Sequence, residues 1–114
     1  MSLVTRKTYE FGFILTPDHY VPYLNFIEQR CKERFGRNLI SAEYLEVNDS
    51  KVLKITILEE ASKTKYEVLI KPSNFPAVTI QSSRPASIKS FIDLAIDFQL
   101  FTYQFIVNVN EATL

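Results

Sequence analysis

The chain predicts an α+β domain in which an antiparallel sheet of four to five strands is covered on one face by two helices. The stretch 52–80 contains three successive strand candidates with turn-like links, and strands this close in sequence can pair only as hairpins. A helical pattern flanks this stretch on each side, at about 21–35 and from residue 88 onward. The predicted element order is β-α-β-β-β-β-α, followed by a C-terminal strand or an extension of the last helix.

Length and composition indicate a single domain covering residues 1–114. The chain contains no linker-like run rich in Gly, Ser or Pro, and 46% of its residues are hydrophobic, which is enough for a core. Thirteen basic residues balance thirteen acidic ones, so no net positive charge favours nucleic acid or an anionic membrane. We therefore predict neither nucleic acid nor a membrane as a partner.

The remaining compositional features predict an intracellular, cytoplasmic protein. One cysteine cannot form an internal disulfide, and the first residues lack the apolar run of a signal peptide. The longest apolar-rich run, 91–109, is interrupted by polar residues and is a poor membrane span. The chain has two glycines, which excludes a glycine-rich phosphate loop.

The N-terminal third predicts a strand and then a helix. The segment Thr8–Leu15 alternates as a strand does. Its apolar face comprises Tyr9, Phe11, Phe13 and Leu15. A helix follows from about Val21 to Phe35, with Pro22 in its first turn and Gly36 as its C-terminal cap. The buried stripe of this helix comprises Leu24, Ile27, Cys31 and Phe35.

The middle of the chain supplies four strand candidates. Their ranges are Leu39–Val47, Val52–Leu58, Tyr66–Ile70 and Ala77–Ile80. The sequence Asn48-Asp49-Ser50 is typical of a turn, and a charged segment, 59–65, links the second candidate to the third. Because apolar residues alternate with polar ones, we expect one face of the sheet to be exposed to solvent and the other to be covered by the helices.

The C-terminal third predicts a second helix. Ser87 can cap this helix, which begins at Ile88. Its apolar stripe comprises Phe91, Leu94, Ala95, Phe98 and Phe101. The segment Phe105–Val109 is rich in β-branched residues, so residues 102–110 could either form a terminal strand or prolong the helix.

The segment Tyr66–Ser82 carries a family resemblance. It joins a strand, the element Pro72–Pro76 (Pro-Ser-Asn-Phe-Pro) and another extended segment, and helices precede and follow it. Over about residues 22–101 this order resembles that of RWD domains and the core of ubiquitin-conjugating enzymes. The proline that normally follows the aromatic-proline pair is missing, and the strand Thr8–Leu15 lies outside the pattern. The resemblance implies a protein-docking module, since RWD domains mostly serve as docking platforms and no cysteine follows Pro76 to accept ubiquitin.

No combination of residues predicts a catalytic site, a metal site or a cofactor. About three helical turns, roughly 15 Å, would separate His19 from Cys31, which is too far for a Cys–His pair. Asp18 with His19, and Glu43 with Glu46, do not form a recurring metal-ligand motif. We therefore expect a buried structural cysteine and a histidine in a surface turn.

Surplus apolar side chains predict a protein interface instead. Tyr20, Tyr23 and Phe26 recur at three-residue spacing and form either an exposed patch or a broader contact with the core. The segment Phe98–Val109 is too apolar for one face to bury, so it either runs through the middle of the fold or packs against another chain. The predicted interface residues are Tyr20, Tyr23, Phe26, Phe98, Phe101, Tyr103, Phe105 and Val107.

These observations favour a non-catalytic protein–protein interaction module. It would be an adaptor or assembly subunit that forms a homodimer or belongs to a complex. The alternative is a small enzyme or ligand-binding domain whose pocket lies between sheet and helices, with Asp18, His19 and Tyr20 at its rim. An inhibitor or immunity-type protein is a third possibility, which the sequence does not separate from the first.

Overall fold

The computed structural model describes residues 5–112, including the side chains of residues 5–110. Its elements are β1 (Arg6–Glu10), α1 (Tyr20–Phe35), β2 (Leu39–Val47), β3 (Ser50–Glu59), β4 (Thr64–Lys71), β5 (Ala77–Ser82) and α2 (Ile88–Ala112). Short 3₁₀ turns at Pro17–His19 and Gly36–Asn38 flank α1. The predicted α+β class and element order are therefore confirmed. Within the described residues, no helix is both long and apolar enough to span a membrane.

The five strands form one antiparallel sheet in the order β1-β5-β4-β3-β2. The strands β2 to β5 are neighbours in sequence and in space, as the hairpin prediction requires. Ile55 lies opposite Val68, and Val68 lies opposite Ile80, so alternate residues build one continuous apolar face. The strands β1 and β2 are the two edges of the sheet.

Local sequence explains the turns of this sheet. Asn48 and Asp49 have φ values of 51° and 64°, a region that Asn and Asp adopt more readily than other side chains. Successive positive φ values give the tight hairpin turn that suits the twist of paired strands. At the outer edge, the register between β2 and β3 shifts between Leu39 and Ser41, so Ile40 forms a bulge.

Both helices cover the same face of the sheet. The hydroxyl of Tyr44 on β2 lies 2.8 Å from side-chain oxygens of both Asn25 and Glu28, which holds α1 over the β2 side. The ring of Phe91 on α2 meets Tyr66 on β4 edge-to-face at 5.8 Å. Helical side chains that are almost completely buried against the sheet are Tyr23, Leu24, Ile27, Cys31, Phe91, Phe98 and Phe101.

The predicted helix boundaries are confirmed where capping chemistry defines them. Pro22 lies in the first turn of α1, and Gly36 ends the helix with a φ of 54° while its N–H donates to the carbonyl of Lys32. The Ser87 hydroxyl accepts a hydrogen bond from the amide of Ser90 at 3.3 Å, as expected of an N-cap.

The first strand is shorter and begins earlier than predicted. The expected range Thr8–Leu15 is wrong, because β1 occupies Arg6–Glu10. Glu10 pairs with Ala77, the first residue of β5, so no regular partner strand continues beyond this point.

The chain after β1 follows the link between β4 and β5. The amide of Phe11 donates to the carbonyl of Pro76 at 3.0 Å, and the amide of Leu15 donates to that of Asn74 at 2.8 Å. Phe11 and Leu15 are 5% and 2% exposed. Alternation therefore predicted the burial of Phe11 and Leu15 correctly, whereas Tyr9 and Phe13 on the same predicted face are only partly buried, and the backbone beyond Glu10 is not a strand.

The C-terminal segment 102–110 is helical, because α2 continues without a break to Ala112. Phe101 and Phe105 are four residues apart and extend the buried stripe of the helix. The segment therefore prolongs α2 rather than adding a sixth strand, and its Phe105 packs against α1.

A buried hydrogen bond joins α1 to this part of α2. The hydroxyls of Tyr23 and Thr102 lie 2.8 Å apart, and the Thr102 hydroxyl also lies 2.8 Å from the carbonyl of Phe98. Because Thr102 has a single hydroxyl proton and donates it to the carbonyl, Tyr23 must donate to Thr102.

We expect Thr102→Val to lower the free energy of unfolding by about 1–3 kcal/mol, since it leaves a buried Tyr23 hydroxyl without an acceptor. Tyr23→Phe should cost about 0.5–1.5 kcal/mol. In urea titrations the double variant should lose less than the sum of the two single losses. Strictly additive losses would contradict the assigned bond.

Candidate interaction surface

Burial separates the predicted interface residues into two groups. Those inside the core, at most 6% exposed, are Tyr23, Phe98, Phe101 and Phe105. Those at least partly accessible are Tyr20, Phe26, Tyr103 and Val107. The first group fills the space between helices and sheet and cannot present its side chains to a partner. The predicted patch is therefore corrected, and four of its eight members drop out of the surface.

Ring contacts give the physical reason for this correction. Phe105 packs against Tyr23 and Phe26 with centroids 5.5 and 5.6 Å apart, and Phe98 packs against Phe101 at 5.7 Å. The aromatic residues of the tail are thus buried by packing between α1 and α2 and within α2, which is one of the two outcomes that the sequence left open.

Of a second apolar stripe on α2, only Tyr103 was predicted from the sequence as an interface residue. Its members recur at intervals of three or four residues and are Ile88, Ile92, Ile96, Leu100 and Tyr103. Each is between 42% and 62% exposed. This spacing places them along one side of the helix, away from the buried stripe. We call these five residues the α2 stripe.

The α2 stripe borders the free edge of the sheet. A groove of about 260 Å³ runs between β1 and α2, and its lining includes Tyr9 and Phe11 on one side and Ile92 and Ile96 on the other. Among the described residues, the strand β1 pairs with β5 on one side and ends the sheet on the other. An apolar helix face and an open strand edge therefore lie side by side.

A cleft on the opposite flank of α2 is lined by acidic residues. It has a volume of about 240 Å³, and its carboxylates belong to Glu59, Glu60, Asp93 and Asp97. Their partners are Ser62, Arg37, Lys89 and Arg34, in that order. Asn38 Oδ1 is buried here without a hydrogen-bond partner among the described residues. Since each carboxylate already has a partner, the cleft does not define the charge of a ligand.

Of the three residues predicted at the rim of the alternative pocket, His19 lines a described groove, whereas Asp18 and Tyr20 are not part of its lining. His19 lines a groove of about 470 Å³ beside residues 12–16 and the end of α2. The Asp18 side chain is exposed and accepts a hydrogen bond from Thr16 at 2.6 Å, which lowers its pKa. Tyr20 instead donates to Asn74 Oδ1 at 2.7 Å.

The chemistry of Cys31 is that of a core residue. Its side chain is fully buried, and this burial, reinforced by the negative charges of Asp97 and Glu28, raises the pKa of the thiol to about 12. A protonated thiol is a poor nucleophile and metal ligand. Within the part of the chain that the structure describes, no group of three His, Cys, Asp or Glu residues could hold a metal ion.

Comparison with known proteins leaves this surface to be interpreted from its own geometry. No family model matches the chain, and no curated protein sequence is detectably similar to it.

Stability should fall as pH rises above about 9, because burial raises the pKa values of Cys31 and Tyr23 to about 12 from ordinary values of 9.0 and 10.0. The folded state favours the neutral thiol and phenol. Their contribution to the free energy of unfolding is therefore complete below the ordinary pKa values and is lost as pH approaches 12. Each group can contribute a slope of up to about 1.4 kcal/mol per pH unit.

Urea titrations in steps of about one pH unit, from about pH 8 to about pH 11, measure how the free energy of unfolding depends on pH. Cys31→Ala should flatten the decline that begins near the ordinary thiol value of 9.0. An identical decline in wild type and Cys31→Ala would contradict the assignment.

Proposed function

We propose that this chain is a non-catalytic protein–protein interaction module, an adaptor or assembly subunit, with its contact centred on the α2 stripe. The observation that carries this proposal is the exposure of five large apolar side chains along one side of a single helix. Scattered apolar residues are normal on a protein surface, whereas a contiguous patch marks a binding site.

The outer surface of α1 provides an internal contrast. It carries ion pairs of Arg30 with Glu33 and of Lys32 with Glu28, and Arg34 reaches across to Asp97 on α2. Charged residues of this kind complete a helix face that stays in water. On the exposed side of α2 the described residues form one such ion pair, Lys89 with Asp93 near the start of the helix, and the five members of the α2 stripe beside it are apolar or aromatic, which favours a partner over solvent.

The resemblance to RWD domains supports the same function. Pro72 and Pro76 are buried, whereas Phe75 between them is 65% exposed. The Ser73 hydroxyl donates to the carbonyl of Phe75 at 2.8 Å and braces this link. An RWD-like chain would act as a docking platform, and this is the role that we propose.

The other two functions have less support. An enzyme or ligand-binding domain would need Asp18, His19 and Tyr20 to converge on one cavity, and of these His19 alone lines the groove beside α2. An inhibitor or immunity-type protein would use a surface of the same kind as the α2 stripe. Identifying the captured partner would distinguish an inhibitor or immunity-type protein from an assembly subunit.

We expect Ile96→Glu to weaken partner binding about ten- to a hundredfold, because it places a charge where about 1.5–3 kcal/mol of apolar burial is expected. Ile40→Glu is the matched control. Ile40 is 50% exposed, against 55% for Ile96, but lies in the bulge of β2 at the opposite edge of the sheet.

Affinity capture from the native host with quantitative mass spectrometry, together with light scattering of the purified chain, measures both partner types. Circular dichroism should show that both variants keep the wild-type fold. A wild-type chain that stays monomeric and captures no protein would contradict the proposed function, and so would equal losses in the two variants.

A further inference from the structure

The free edge of β1 offers its backbone groups in a defined pattern. The carbonyl of Thr5 accepts from the amide of Ser82 at 2.9 Å, and the amide of Phe11 donates to Pro76 at 3.0 Å. Along a strand the bonding direction alternates, so odd-numbered residues between these two bond to β5. The residues whose N–H and C=O groups point to the open edge are Arg6, Thr8 and Glu10.

A side-chain contact supports this assignment. The hydroxyls of Thr8 and Thr79 lie 3.1 Å apart across the β1–β5 pair. Side chains approach most closely at the non-hydrogen-bonded positions of an antiparallel pair. Thr8 therefore bonds to β5 through its side chain, and its backbone groups remain directed outward.

We propose that two copies of this chain pair through β1, antiparallel, about a two-fold axis at Thr8. This inference rests on the proposed interaction function and names the partner. In this register Thr8 lies opposite the partner's Thr8, and Arg6 lies opposite the partner's Glu10. Both members of each pair have outward-directed backbone groups, so each pair can exchange two N–H···O bonds.

Charge selects this register from the others. If the register shifted by one residue, residues whose backbone groups point to the open edge would lie opposite residues whose backbone groups point to β5. If it shifted by two, Arg6 would no longer lie opposite the partner's Glu10. The centred register instead forms two ion pairs related by the axis. Neither Arg6 nor Glu10 forms an ion pair within the described residues of its own chain. On the helix side of the sheet, the same register brings Lys7 beside the ring of the partner's Tyr9.

The surroundings of β1 also favour a second copy at this edge. The opposite edge carries the bulge at Ile40, which interrupts a ladder and discourages pairing. At β1 the axis brings the grooves between β1 and α2 of both copies together, so that Ile92 and Ile96 meet their counterparts. Strand pairing thus buries Ile92 and Ile96, the two members of the α2 stripe that line this groove, in the same contact.

Charge reversal tests the register. In sedimentation experiments on the full chain, Arg6→Glu or Glu10→Arg alone should raise the dimer dissociation constant about tenfold or more, since the two-fold axis places like charges together twice. The double variant Arg6→Glu/Glu10→Arg restores opposite charges and should return the constant to within about threefold of wild type. A double variant as weak as either single one would overturn the register.

A proline tests the backbone contact separately. Thr8→Pro removes an outward N–H that β5 does not use, and should weaken the dimer at least about tenfold. Thr8→Val keeps this N–H and should dimerise as wild type does. Circular dichroism and the urea midpoint of the monomer, measured at the lowest concentrations, check that both variants fold.

The remaining outcomes separate this inference from the proposed function. A chain that dimerises through Ile96 but is unaffected by Arg6→Glu and Thr8→Pro would overturn β1 pairing while supporting an interaction module. A chain that stays monomeric and captures a different protein would contradict the inference that a second copy of the chain pairs with β1. A monomer that captures nothing would overturn both proposals.

Discussion

The structure depends on burial at one face of a single sheet. The helices must cover an apolar surface five strands wide, and they do so only when their own buried stripes also meet each other. The Tyr23–Thr102 hydrogen bond and the rings around Phe105 lie at this junction. Because this contact uses the inner side of α2, the orientation of the helix about its axis is determined, and the α2 stripe is left facing outward.

Much of the fold followed from local patterns in the sequence. Strand alternation, the turn at Asn48 and Asp49 and the cap at Ser87 each depend on neighbouring residues, so these elements were predicted close to their observed bounds. The end of β1 depends instead on where β5 begins, far away in the chain. The state of residues 102–110 depends on α1, which offers an apolar surface to a helix there. The periodicity of a segment reveals neither where β5 begins nor that α1 offers this surface.

The surface was harder to predict than the core. Aromatic residues attract notice in a sequence, yet Phe98, Phe101 and Phe105 are large enough to fill the space between helices and sheet, and burial favours them there. The accessible stripe consists mainly of aliphatic residues at four-residue spacing. A search for two apolar stripes on one helix would have found Ile88, Ile92, Ile96 and Leu100, because a helix buried on a single side needs only one.

The pairing of β1 with β5 has a consequence for the order of folding. Thr8 and Thr79 are 71 positions apart, whereas β2 to β5 are joined by short links and can form their ladders early. During synthesis β1 leaves the ribosome before β5, and it has no strand to join until β5 has followed. The newly made chain therefore carries an unpaired β1 until β5 has been made, and neighbouring nascent chains on one messenger RNA expose this strand at the same time.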